Sequence, residues 1–400
     1  MAVASGVFNA NTGNPAELNA RSFAGTVLRR FPNGAAPMFA LTSQGGKSKA
    51  KASTHGYFSK TLTFQVVTTT ATQLVGDVTF AAWPSTVGVV PGMLFWNNRT
   101  FEVIRITTVN SGVSVTVVRG FGRVAAAAVN IGDKWVQAGT AFEEGSNRPT
   151  ARRLTTEYIP NYTQIFRNAW AMTDTARASY AEMGISNIAE NKADCMMFHS
   201  VDIESAMIFS QPKMDTSGAT PMHATQGILD ALRQYVPGNV NAAGGTTTFD
   251  QLVALVEVAF LYSTNLGSAK ERVGFVDNQA MKVLNAIGRR SGQITMMTKE
   301  SRFGMKYTSF EFYNGTIDLI IHPLLNGLQQ TGTMLVMDMP ALKLAYMDGR
   351  DTIPESYTTV SSSDSNGVDG QGGSLTTELA VELINPAACC LVTGLTSGIA

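Results

Sequence analysis

Apolar and polar positions between Ser186 and Gln211 follow one period. Ile185, Ala189, Ala193, Met196, Ser200, Ile203 and Met207 recur at spacings of three and four, which places them on one face of a helix. Asn187, Glu190, Lys192, Asp194, Asp202 and Glu204 fall mostly elsewhere on the wheel. Neither Gly nor Pro interrupts the run; Gly184 precedes it, and Pro212, which has no amide to donate, stops it. A helix over 186–211 at 1.5 Å per residue is roughly 39 Å long, a spine for other elements to pack along.

The pattern is different upstream. From about 60 to 140, TLTFQVVTTTATQLV and TFEVIRITTVNSGVSVTVVRG alternate at period two and are rich in β-branched residues, with Asn110-Ser111-Gly112 as a tight turn. This predicts an all-β insertion, a small barrel or sandwich. Its charged residues, Asp77, Arg99, Glu102, Arg105, Arg119, Arg123, Asp133 and Lys134, form no catalytic grouping. Residues 141–175 read as a connector, with Asp174 as N-cap of a short helix over Thr175–Met183. FEEGSNRPTARRL sets Glu143, Glu144, Arg148, Arg152 and Arg153 close together, either as an exposed charged loop or as a salt-bridge cluster between subunits.

Downstream of Pro212 a loop over 211–227 leads into helices at GILDALRQYV and at TTFDQLVALVEVAF, the latter capped by Thr247 or Thr248 and burying Leu252, Leu255, Val256, Ala259 and Phe260. A strand over Val273–Val276 precedes a helix capped near Asp277. A hairpin turns at Asn314-Gly315; Pro340 divides two strands, and Asn385-Pro386 bends the last two. Residues 225–345 thus alternate helix and strand.

The first 56 residues read as an arm without sustained period. Arg21, Arg29, Arg30, Lys47, Lys49 and Lys51 stand there against Glu17. They suit a solvated tail or an arm lying near phosphates or an acidic neighbour. Phe23, Val27, Leu28 and Phe31 suit one anchoring helical turn.

Composition narrows the function classes. Formal net charge is zero, so the whole chain is no polycation for coating nucleic acid. Cys195, Cys389 and Cys390 make no disulfide framework and have no metal-ligand spacing. No apolar run reaches the roughly 20 residues of a membrane span, and the N-terminus lacks the basic-then-apolar order of a secretion signal. His55, His199, His223 and His322 fit no zinc motif, and no nucleophile elbow or phosphate loop occurs. Asp202 and Glu204, two apart on a helix, face different ways and read as salt-bridge partners. The methionine-rich stretches read as core filling. No catalytic residue, metal site or cofactor is expected.

The order of parts resembles the major capsid proteins of tailed bacteriophages with the Hong Kong 97-like fold, in a subgroup with a β insertion ahead of the spine. The matching stretches are RTFEVIRITTV…VTVVRGFG, FEEGSNRPTAR, NYTQIFR with TDTA, VDIESAMIFSQ, GTMLVMDMPALKLAYMDGRD and ELINPAACCLVTGL. The resemblance implies an α+β chain in five parts. These are an N-terminal arm (1–56), an extended loop with the β insertion (57–150), a peripheral domain with the spine (151–224), an axial domain (225–345), and strands returning to the peripheral sheet (346–400). It implies assembly into the pentamers and hexamers of an icosahedral head around double-stranded DNA, inside the host cytoplasm. Other copies of the chain and a portal protein would be partners, no membrane would be involved, and the need for scaffolding and decoration proteins is left open. The basic arm would face the interior or run along neighbours. Two rival classes are a nanocompartment shell of the same fold and a secreted β-rich carbohydrate-binding or adhesive protein.

Overall fold

The computed structural model describes residues 36–60, 66–149, 151, 156–178, 187–264, 270–291, 297–302, 305–327, 332–358 and 370–398. Arg21, Arg29, Arg30, the Phe23–Phe31 turn, Arg152 and Arg153 lie outside them. The chain divides into two compact units, Tyr57–Ile159 and the residues on either side of it.

In chain order the elements begin with α1 (Pro37–Gln44), β1 (Lys47–Ala50) and β2 (Thr54–Ser59). Then come β3 (Val66–Thr68), β4 (Thr79–Phe80), β5 (Met93–Asn97), β6 (Val103–Ser111), β7 (Ser114–Val118) and β8 (Lys134–Thr140). They are followed by β9 (Glu157–Tyr162), β10 (Gln164–Thr173), α2 (Asp174–Ala178), α3 (Asn187–Phe209), β11 (Lys213–Asp215) and β12 (Met222–Ala224). Next are α4 (Ile228–Tyr235), β13 (Val240–Thr247), α5 (Phe249–Val256), β14 (Glu271–Val276) and α6 (Asn278–Ser291). The chain continues through β15 (Met297–Arg302), β16 (Met305–Phe312), β17 (Gly315–Ile321), α7 (Pro323–Gly327) and β18 (Met334–Met337). It ends with β19 (Leu342–Met347), β20 (Ile353–Thr358), β21 (Gly370–Leu383) and β22 (Cys390–Gly398).

The larger unit holds two main sheets. In the first, β21 pairs with β10 along one edge and with β20 and then β19 along the other; β1 adds to β19 in parallel. The second runs β13-β22-β18-β14-β17-β16-β15. Both proline breaks are crossings between these sheets. The chain passes from β18 to β19 at Pro340 and from β21 to β22 at Pro386, each through one short 3₁₀ turn. The crossings are tied by Ile384 N–H donating to Ala341 O at 2.9 Å.

Several expected boundaries are therefore corrected. β19 leaves the 225–345 unit for the first sheet, and β22 leaves the 346–400 return strands for the second. Residues 37–56 are not arm: Met38 is sealed in the core, and Ala50 packs with Ala345 and Ala380. Their apolar residues are too few to show a period, yet Met38 and Ala50 are buried and Phe39 and Leu41 are half-buried. The expected loop after Pro212 contains the small β11–β12 hairpin. The Thr173 hydroxyl, rather than Asp174, accepts from Ala176 N–H at the start of α2.

The spine forms as α3, and its C-terminal half lies in the main core. Ile203, Met207 and Ile208 pack with Phe166, Leu379 and Leu344 and also with Phe275, Leu335 and Leu391, so one cluster joins both sheets. The buried face differs from the expected one in the N-terminal half. Cys195 and His199 turn inward, whereas Ala189, Ala193 and Met196 are exposed. The physical reason is that a histidine with both nitrogens hydrogen-bonded is buried at little cost, so the helix rotates its polar residue onto the sheet. Elsewhere local signals hold. Thr248 and Gln251 form a capping box at α5, Asp277 accepts from Ala280 N–H at 2.5 Å at α6, and Asn314-Gly315 closes β16 onto β17.

In the unit Tyr57–Ile159, six strands run β3-β8-β5-β6-β7-β4, each antiparallel to its neighbours. Where a barrel or sandwich is expected, the described residues form one sheet whose end strands, β3 and β4, are not paired with each other. Register shifts in the β5–β8 and β6–β7 ladders bend it around Phe80, Trp83, Phe95, Ile104 and Trp135, all sealed from solvent.

Candidate interaction site

Two polar locks set the larger unit. Glu204, fully buried on α3, accepts from Met38 N–H at 2.9 Å and from Phe39 N–H at 2.8 Å. Its carboxylate thus caps α1, whose own Ala36 supplies no cap. His322 Nε2 meets the same carboxylate at 2.5 Å, while His322 Nδ1 accepts from Leu324 N–H at 3.2 Å. Nε2 is therefore the protonated nitrogen of the pair. One carboxylate joins the spine, the first helix and the end of β17.

His199 forms the second lock. Its Nδ1 donates to Asn168 Oδ1 and its Nε2 meets the Thr377 hydroxyl, both at 2.7 Å. Asn168 Nδ2 in turn donates to Asp202 at 2.8 Å. Burial holds the His199 pKa below the ordinary imidazole value, with Asp202 partly opposing. Asp202 and Glu204 each find a partner, and the two point to separate sites.

The β unit has its own lock. Glu102, fully buried, receives Arg119 Nε at 2.7 Å and Nη2 at 2.9 Å, with the amides of Gly120 and Ala127. Burial works against its charge, but the guanidinium and these amides together hold its pKa below the ordinary carboxylate value. Arg99 grips Asp133 with two bonds of 2.8 Å. These charges tie strands together.

The expected contact residues are brought together only in part. Lys47 pairs with Asp351 at 2.5 Å and Lys49 with Asp348 at 3.2 Å, both within the chain; this corrects their assignment to a free arm. Lys51 is exposed. Glu143 pairs with Arg105 at 3.5 Å rather than with Arg148, and Glu144 and Arg148 are exposed on the connector. Among the described residues no group of three His, Cys, Asp or Glu side chains could hold a metal ion. Burial pushes the Cys389 thiol up to about 12 and Cys390 higher still.

Sequence reasoning missed the apolar surface of the β unit. Leu74, Val75, Val78, Val87, Phe101 and Ile131 are exposed there, with Leu74 at 72%. Phe101 has φ 59°, a left-handed backbone uncommon for a bulky residue. The turn is held by Asn97, whose Oδ1 accepts from Arg99 N–H at 2.9 Å and Thr100 N–H at 3.0 Å, and the Phe101 ring rests 5.7 Å from Trp96. The signal available in the sequence was that Phe101 shares the face of Val103 and Arg105, opposite the buried Ile104 and Ile106.

The buried carboxylates and imidazoles tie the chain to itself, and apolar side chains stand exposed on both units, which suits contact with other chains. A family model described as SU10 major capsid protein matches residues 7–396, and the chain belongs to that family. A curated relative, the major capsid protein of Pseudomonas phage PaMx41, is 48% identical over 407 residues, covering 99% of this chain and 97% of its own length. Among solved structures, a chain of Mycobacterium phage Bobi aligns with 96% of this chain and 97% of its own at 12% identity and TM-score 0.48. A chain of Mycobacterium phage Adephagia aligns with 99% of each at 10% identity and TM-score 0.48. The SrpI encapsulin of Synechococcus elongatus PCC 7942 covers 61% of this chain and 78% of its own at 11% identity and TM-score 0.45. The chain is a phage major capsid protein that mixes helices and strands; it self-assembles into a shell and forms the virion capsid.

Proposed function

We propose that this chain builds an icosahedral head of pentamers and hexamers that encloses double-stranded DNA and meets a portal protein, assembling in the host cytoplasm. The unit Tyr57–Ile159 is the reach between subunits. The observation that carries this reading is its exposed apolar surface around a sealed core: side chains such as Leu74, Phe101 and Ile131 gain by burial against another chain. Residues within 225–345 form the axial contacts. Glu143, Glu144, Arg148, Arg152 and Arg153 act as an ionic cluster between neighbours, with Arg105 joining through Glu143. Many weak contacts of this kind sum through multivalency. DNA is held without base recognition, since net charge is zero and cationic side chains such as Lys47 and Lys49 are already paired.

The test is to express the wild type and an Arg148→Gln, Arg152→Gln, Arg153→Gln triple variant, and to compare subunit melting with particle yield by electron microscopy. The expected outcome is an unchanged melt with particle yield down by about tenfold or more, the effect of some 1.4 kcal/mol per contact. Normal particle yield would make the connector a solvated loop. Particles loaded with one enzyme and lacking nuclease-protected DNA would overturn the DNA-enclosing head.

A further inference from the structure

Strand order in the second sheet sets a polar row across three neighbours. Glu271 on β14 stands beside Thr316 on β17, and Thr316 beside Glu311 on β16. Phe310, Phe312 and Ile317 are buried under α5 and α6, so by alternation the row stands on the other face of the sheet. Both carboxylates are exposed, and among the described residues neither has a hydrogen-bond or ion-pair partner. Strands lie about 4.8 Å apart, which puts Glu271 and Glu311 roughly 10 Å from each other. Asp318 shares this face, its carboxylate held by the Ser309 hydroxyl.

Helix α6 carries the opposite charge. It has no carboxylate along its length. Lys282 and Arg289 are exposed on it, seven residues apart. That spacing sets them on one stripe, roughly 10 Å apart along the axis, with Asn285 between them. Among the described residues neither cation meets a carboxylate; Arg289 Nε reaches only its own helix, donating to Asn285 O at 3.4 Å. Beside the stripe runs a groove of about 520 Å³, lined in part by Met281 and Ile321.

We propose that α6 of one copy docks on the Glu271–Thr316–Glu311 row of the next copy. This rests on the reading that residues within 225–345 form the axial contacts, and it names the surfaces that meet. Lys282 and Arg289 answer two carboxylates at a matching separation, and the Asn285 amide meets the Thr316 hydroxyl between them. The two surfaces lie on opposite faces of one sheet, so a copy cannot pair them within itself. Each copy offers its row to one neighbour and its helix to the other. Such a contact is heterologous, the kind that closes into a ring. Exposed ion pairs are weak singly, and repetition around the ring adds them up. The occupant is a second copy rather than packaged phosphate because two cations match two carboxylates of this same chain in spacing as well as charge, whereas phosphate binding asks for charge alone.

The test compares wild type with three variants of the full chain: Lys282→Glu with Arg289→Glu, Glu271→Lys with Glu311→Lys, and all four changes together. Each double reversal sets like charges opposite one another, and particle yield by electron microscopy should fall about tenfold or more while the subunit melt holds. The fourfold variant restores opposite charges and should recover most of the yield. Doubles that assemble like wild type, or a fourfold variant no better than the doubles, would overturn the pairing. Asn285→Cys with Thr316→Cys gives a readout without charge change, since the native cysteines are all buried. Mild oxidation of assembled particles should give a ladder of linked chains on a non-reducing gel, with the 285–316 peptide mapped in it; particles without that peptide would contradict the docking. Wild type that forms no particles would overturn the head itself, whereas wild-type particles with either failed result overturn this pairing alone.

Discussion

At the residue scale, two buried groups carry more structure than their neighbours. Glu204 satisfies two amides of α1 and His322 together. Glu204→Ala leaves all three donors buried without an acceptor, and the expected loss is about 3 kcal/mol. Denaturant titration of the unassembled subunit measures it; a loss below 1 kcal/mol would mean that water replaces the carboxylate. His199 gives the pH dependence. Its pKa is lower in the fold than the ordinary value of 6.5, so the unfolded chain takes up the proton first as pH falls. Its contribution is fully present above about 6.5 and is lost as pH falls below that toward the folded pKa. Unfolding free energy should decline from pH 7 to 5 in the wild type, and the decline should flatten in His199→Gln. Equal slopes would show that other groups set it.

At the element scale the spine is the sharpest case. Its existence and its stop at Pro212 were legible, because an uninterrupted helical period and a missing amide are local facts. Its facing was half legible. Ile203 and Met207 point into the core, but Met196, on the same predicted stripe, faces out. Periodicity reports which residues share a face, and only the neighbouring sheets decide where that face is covered. Ile203→Asp should therefore abolish soluble folding, since an unpaired charge there costs several kcal/mol. Soluble, cooperatively melting Ile203→Asp protein would place that face outside the core. The locks were not legible at all. Glu204 and the amides it caps are more than 160 residues apart, and no local pattern joins them. The α5 capping box and the Asn314-Gly315 turn were legible because each closes within four residues. The two proline breaks were visible as interruptions, but their role as crossings between sheets depends on the partners of β19 and β22.

At the scale of the whole molecule, both units seal a core and set apolar side chains outside, Met196, Leu261 and Tyr313 among them on the larger one. The larger unit seals both sheets around α3 and satisfies its buried carboxylate and imidazoles. The unit Tyr57–Ile159 seals its aromatic core yet leaves apolar residues such as Leu74, Val87 and Ile131 outside. The sequence displayed that unit by its period of two but not its outward residues, since alternation looks the same whether the outer face meets water or another chain. A cryo-EM map of particles made from the expressed chain tests the central claim directly. It should show closed shells in which Leu74, Phe101 and Ile131 are buried against neighbouring subunits. Closed shells in which these side chains face solvent on every copy, or a chain that stays monomeric at all concentrations, would contradict it.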